Sequence, residues 1–277
     1  MTPDSYAILL LLSYLAIGVG IVVWQFRCSG LELSTWFLWG VERLYVPFMF
    51  HWRANRRCPF PAKGGGLVIA NHRSPVDPLL IWMNNHLGER NHPCRVIGFL
   101  MAREYYEIPG LTWIGRTMQC VAVNREGKDM RPAREALERL KRGDLIGVFP
   151  EGGINDQTAL REGDTGIAWL ALHAQVPVFP VFLRNSPSGA HDMVAPFYTR
   201  CRVRVTYGDP INLSAYYDRK RTRTLLREVT DLLMRRLAEL GGVAYAPDLP
   251  VEQQNKTASH RITLLARRDE SRAARRL

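Results

Sequence analysis

The chain has 277 residues, 47% of them hydrophobic, enough for one sizeable α/β domain with accessory segments. A formal net charge of +11 suggests anionic partners, but no helix-turn-helix, zinc-finger or RNP pattern supports nucleic acid as one of them. Five cysteines, an odd number with no C-x-x-C pair, argue against a disulfide framework and a zinc site and fit a reducing compartment.

Tyr6 to Trp24 is uncharged and dominated by Leu, Ile, Val and Ala. As a helix it would span about 28 Å, close to the thickness of a bilayer core. A signal peptide would want a basic n-region and an A-x-A-like site, whereas the chain opens Met-Thr-Pro-Asp-Ser. An uncleaved membrane helix over 6–24 is therefore expected. The arginines that follow it (Arg27, Arg43, Arg53, Arg56, Arg57) put the remaining chain on the cytoplasmic face by the positive-inside tendency.

Thr35 to Trp52 carries seven aromatic residues and few charges, with Pro47 expected to break it. Such density suits the headgroup boundary, so a helix lying in the interface is expected at about 35–52, with an aromatic core helix as the alternative. Residues 1–55 then form a membrane anchor, 56–245 the main domain, and 246–277 a linker and arginine-rich tail. That tail is either a solvated basic helix or a lipid-surface contact.

Lys63-Gly64-Gly65-Gly66 lacks the Gly-Lys-Ser/Thr ending of a phosphate-binding loop. After it, strand and helix signals alternate. Strands are expected at Leu67–Ala70, Arg95–Leu100, Gln119–Val123, Leu145–Phe149, Val178–Leu183 and Cys201–Tyr207. Helices are expected at Pro75–Leu87, Glu104–Thr117 (broken at Pro109-Gly110), Arg131–Arg142, Gly166–Ala174 and Arg223–Leu240. The alternation means a layered α/β domain with a largely parallel or mixed sheet flanked by helices.

Asn71-His72 ends the first of these strands, and Ser74-Pro75 signals a helix start. Residues at the carboxyl end of a strand in such a sheet face the ligand crevice. Asp77 could accept the Nδ1–H of His72, leaving Nε2 as a bare acceptor and making a general base for an external hydroxyl. Alternatively, Ser74-x-x-Asp77 is a capping box in which Asp77 only reaches back to the Ser74 amide. No Ser or Cys nucleophile adjoins His72, no G-x-S-x-G elbow occurs, and no metal-ligand motif is present.

Asn71-His-Arg-Ser-Pro-Val-Asp77 resembles the His-x4-Asp block of the PlsC-like lysophospholipid and glycerol-phosphate acyltransferases. Val121-Ala-Val-Asn-Arg125, Phe149-Pro-Glu-Gly152 and Val176-Pro-Val-Phe-Pro-Val181 resemble that family's next three blocks, in the same order. The resemblance covers Gly66 to Val181. It departs at the third block, which usually continues Thr-Arg-Ser but here continues Gly153-Ile154-Asn155, so the arginine commonly credited with gripping the acceptor's phosphate is missing.

The resemblance implies a membrane-bound O-acyltransferase using acyl-CoA or acyl carrier protein as co-substrate, with neither cofactor nor metal. His72 would be its base, oriented by Asp77. Arg125, Glu151, Gly152 and Gly153 are the expected substrate-binding residues, and the Val178 backbone a candidate for the oxyanion. Arg161 and Arg184 are possible substitutes for the missing arginine. Lysophosphatidate or a related lysophospholipid is the expected acceptor. A lyso-aminolipid, glycerol 3-phosphate or a silent lipid-binding role are the alternatives.

Overall fold

The computed structural model describes residues 3–84, 94–124 and 129–248. Arg125 and the arginine-rich tail lie outside the described residues, as do positions 85–87 of the helix expected over Pro75–Leu87, which ends at Trp82.

The chain opens with α1 (Pro3–Ser29), exposed along its apolar length, where an 18-residue stretch between Asp4 and Ser29 has a mean hydropathy of 2.5. The N-terminal apolar helix is thus present, and longer at both ends than the 6–24 expected. A short link leads to α2 (Leu33–Phe50), and Phe26 meets Trp36 edge-on across it at 5.7 Å. Pro47 does not break α2. It sits in the last turn on the exposed side, and the helix runs only to Phe50 before His51 stops it in a left-handed conformation (φ 38°).

β1 (Arg53–Ala54) was not expected. It is followed by β2 (Gly66–Ala70), α3 (Asp77–Trp82), β3 (Ile97–Ala102), α4 (Arg103–Tyr106), α5 (Leu111–Thr117) and β4 (Val121–Val123). Then come α6 (Arg131–Arg142), β5 (Leu145–Val148), α7 (Gly166–Ala174), β6 (Val178–Arg184), β7 (Arg204–Tyr207) and α8 (Arg223–Gly241). Among the described residues the strands form one seven-stranded sheet in the order β1-β7-β6-β2-β5-β3-β4. The five from β6 to β4 are mutually parallel, and β7 turns antiparallel to β6. The sheet is mixed, flanked by helices, as the alternation predicts.

β2 lies between β5 and β6, and all five of its residues are buried. Val68 and Ala70 face a core that includes Val46 and Phe50 of α2 and Leu80 of α3. Leu67 and Ile69 face the opposite core with α6, α7 and α8. Burial on both sides is why this strand is an unbroken apolar run rather than an alternating one.

Pro180 causes no bulge. β6 passes straight through it, because its nitrogen faces the β7 side where that strand has ended at Tyr207, and only Gly208 N–H reaches back to the Pro180 carbonyl (2.9 Å).

Gly65, just before β2, serves packing. A Cβ on Gly65 would stand 2.0 Å from the Leu140 carbonyl oxygen near the end of α6. Since backbone cannot yield like a flexible side chain, Gly65→Ala should destabilise the fold by about 1–3 kcal/mol. Chemical denaturation followed by circular dichroism measures this, and an unchanged midpoint would refute it.

Candidate active site

The carboxyl ends of β2 and β5 lie side by side, Ile69 paired with Val148, so the segments that follow them share one crevice. His72 Nδ1 lies 3.0 Å from Asp77 Oδ2. That oxygen also accepts the main-chain N–H of Arg73 (2.7 Å) and of Ser74 (2.8 Å), and Oδ1 accepts the hydroxyl of Ser186. The two readings of Asp77 are therefore compatible. It caps the turn and holds the imidazole with the same carboxylate.

The helix start differs from the one expected. Ser74 and Pro75 precede it, Val76 is the N-cap and α3 begins at Asp77, because the carboxylate gathers the 73–74 amides into a turn ahead of the helix. A carboxylate only accepts, so the contact requires the proton on Nδ1 and leaves Nε2 of the neutral ring with its lone pair outward. Asp77 is fully buried, whereas the His72 side chain is 18% exposed. Phe149 stacks on the imidazole at 4.0 Å and 13°, and Phe99 stacks behind Phe149. The ring is thus clamped on one face and held at Nδ1.

The third block grips the main chain of His72. Glu151 Oε1 accepts the His72 N–H (3.2 Å), and Asn155 N–H donates to the His72 carbonyl (2.6 Å). Glu151 Oε2 accepts from Asn155 Nδ2 and from the Arg161 amide (3.1 Å). Its side chain is only 1% exposed, and burial raises its pKa against the lowering effect of these donors. The expectation that Glu151 binds substrate is thus corrected. Both oxygens are engaged inside the protein, and the residue is a strut under His72.

Gly152 is left-handed (φ 67°), with open space where a Cβ would stand, and its amide bonds the Phe149 carbonyl at 3.1 Å. The turn therefore takes up the amide of Gly152, one of the expected substrate-binding residues. The Gly153 carbonyl accepts Arg161 Nη2 at 2.6 Å, and the Ile154 carbonyl accepts the same nitrogen at 3.2 Å. Arg73 similarly reaches the carbonyls of Gln157 (3.1 Å) and Asp156 (3.4 Å). Two guanidiniums thus bracket the loop that stands where Thr-Arg-Ser was expected. A Cβ on Gly189 would lie 3.0 Å from Ile154 Cδ1 and 2.5 Å from Pro75 Cδ, so Ile154 packs inward near Pro75.

Val178 does not reach the crevice. It pairs with Leu67 near the opposite end of β2, about 10 Å of strand below Ala70, so its backbone cannot face an oxyanion at His72. Arg184 is also displaced, since its guanidinium donates to the Gly241 carbonyl at the end of α8, one of the carbonyls a helix terminus leaves unpaired. Ser186, Asn155 and Phe149 are the site residues that sequence reasoning assigned no role. The position of Ser186 just beyond the carboxyl end of β6 was the available signal. Among the described residues no group of His, Cys, Asp or Glu is placed to hold a metal ion.

Residues 53–184 match the Acyltransferase family model. A lyso-ornithine lipid O-acyltransferase of Pseudomonas aeruginosa is 27% identical over 198 residues, 68% of this chain and 70% of that one. An N-acylphosphatidylethanolamine synthase of Arabidopsis thaliana is 28% identical over 159 residues, 52% of this chain, which spans 55% of that relative's length. The crystal structure of the 1-acyl-sn-glycerophosphate acyltransferase PlsC from Thermotoga maritima shares the fold. It has a TM-score of 0.55 at 21% identity and covers 81% of this chain and 88% of its own.

Proposed function

We propose that the chain is a membrane-bound O-acyltransferase of the lysophospholipid type, acting in glycerolipid biosynthesis, that moves a fatty acyl group from an acyl thioester to a lipid hydroxyl. The observation that carries this reading is the His72–Asp77 contact of 3.0 Å, with Nε2 directed away from the carboxylate. Nε2 takes the hydroxyl proton as the oxygen attacks the thioester carbonyl. The C–O bond forms, the C–S bond breaks, and the imidazolium returns the proton to the departing thiolate. Asp77 stabilises the imidazolium while it exists. Acyl-CoA and acyl carrier protein are the two candidate donors.

In this reading α1 crosses the bilayer and the domain lies on the cytoplasmic face. α2 rests in the interface. Its inward residues Glu42, Val46 and Phe50 are buried, while Phe37, Val41, Leu44 and Phe48 form an exposed apolar stripe on another side. α2 then acts as both core helix and interfacial helix, one face for each.

A second reading, acylation of a lyso-aminolipid, is favoured by the third block. Ile154 stands where the family's arginine was expected, and the nearby Arg161 guanidinium donates to two loop carbonyls. The Pseudomonas relative named for a lyso-ornithine lipid supports the same acceptor class. Arg125 remains the arginine that would hold a phosphate.

Labelled acyl-CoA offered to membranes containing the chain, with either lysophosphatidate or lyso-ornithine lipid added, tests both. Loss of donor with gain of a diacylated lipid is expected. Transfer to lyso-ornithine lipid but not to lysophosphatidate would select the second reading. Transfer to neither acceptor, from acyl-CoA or from acyl carrier protein, would refute both and leave a silent lipid-binding protein.

A further inference from the structure

At the amino end of the sheet, away from His72, a cavity of about 440 Å³ is lined by Arg116, Arg139 and Arg142, together with Tyr106, Gln119 and Asp144. Arg139 is paired with Glu135, and Arg142 with Asp144 at 3.0 Å. Among the described residues Arg116 has no ion pair, so it carries the cavity's uncompensated charge. Arg116 belongs to α5, and Trp113 lies one turn before it on the same helix face. Trp113 and Ile114 are exposed, and Trp113 lies 6.5 Å from the exposed Phe37 of α2. The apolar stripe of α2 therefore continues onto α5 and ends at an arginine-lined cavity. Exposed aromatic surface meeting unpaired guanidinium is the chemistry of a phospholipid headgroup boundary.

We propose that α5 is a second membrane contact, with Trp113 and Ile114 at the acyl boundary and Arg116 drawing the phosphate of an anionic phospholipid into the cavity. The two paired arginines can turn from their carboxylate partners toward that phosphate. This rests on the membrane reading of α1 and α2, and extends it from anchoring to recognition of lipid charge.

The test uses the full chain in vesicles of phosphatidylcholine with increasing phosphatidylglycerol. Tryptophan emission of the wild type minus that of Trp113→Phe isolates one of the seven tryptophans. This difference should be quenched by doxyl-labelled lipid, increasingly so as phosphatidylglycerol is added. In Arg116→Ala the phosphatidylglycerol fraction giving half of the effect should rise about fivefold, the factor that one arginine near an anionic surface carries. Arg116→Lys should restore it. Quenching of Trp113 by aqueous iodide but not by doxyl lipid, in a chain that still floats with the vesicles, would overturn this proposal alone. Failure of the chain to float at all would overturn the membrane reading beneath it.

Discussion

His72→Ala is expected to lower the acyl-transfer rate by about 10²–10⁴-fold, the usual contribution of a positioned general base, while the fold stays nearly as stable as before. The contrast follows from how the residue is held. Its main-chain N–H and carbonyl, gripped by Glu151 and Asn155, survive the substitution, so the struts beneath the site keep their partners. The lost ring is partly exposed and stacks on one face against Phe149, and three donors remain on Asp77 once it is gone. A melting temperature within a few degrees of wild type is therefore expected, at about 2–4 °C per kcal/mol for a domain of this size. Initial rates with labelled acyl thioester on reconstituted protein measure the loss. A variant retaining more than about a tenth of the wild-type rate would remove His72 from the chemistry.

Long, strongly patterned elements were legible in the sequence because their causes are local. α6 shows its apolar face at Ala136 and Leu140 and its stop at Gly143, and α7 lies at the predicted Gly166–Ala174. β2 was legible because burial on both faces leaves no polar residue in it. β1 was not, since two residues carry no period, and it exists only because Arg53 and Ala54 pair with Arg204 and Val205 far along the chain. The His72–Asp77 contact could be anticipated because it spans one turn. The assignments that failed depend on distant partners. Glu151 is turned inward by the His72 amide, 79 residues away, and Val178 is set far from the site by the register of β6 with β2. Ser186 has the same cause. Its hydroxyl reaches Asp77 from more than a hundred residues away.

Asp77→Ala should have the larger consequence, because this carboxylate serves catalysis and folding together. It is fully buried and receives four donors: two main-chain amides, one imidazole and one hydroxyl. Alanine would leave all four without their acceptor in a place water does not reach, and the loss expected for breaking such a buried network is about 3–5 kcal/mol. Asp77→Asn separates the two roles. The amide keeps one accepting oxygen for the turn, but its NH₂ must confront either the amides of Arg73 and Ser74 or the hydroxyl of Ser186. The hydroxyl alone can turn to accept. The surviving oxygen then stays with the amides, and the imidazole loses the negative charge that steadies its protonated form. Asparagine should therefore recover part of the stability lost in alanine but little of the rate, since no negative charge remains to stabilise the imidazolium that forms on proton uptake. Ser186→Ala should be mild by comparison, because it removes one donor and leaves the imidazole contact intact. Denaturation midpoints and initial rates across the three variants decide the matter. Full activity in Asp77→Asn would show that the aspartate only ties the turn, whereas wild-type stability in Asp77→Ala would show that the turn holds without it.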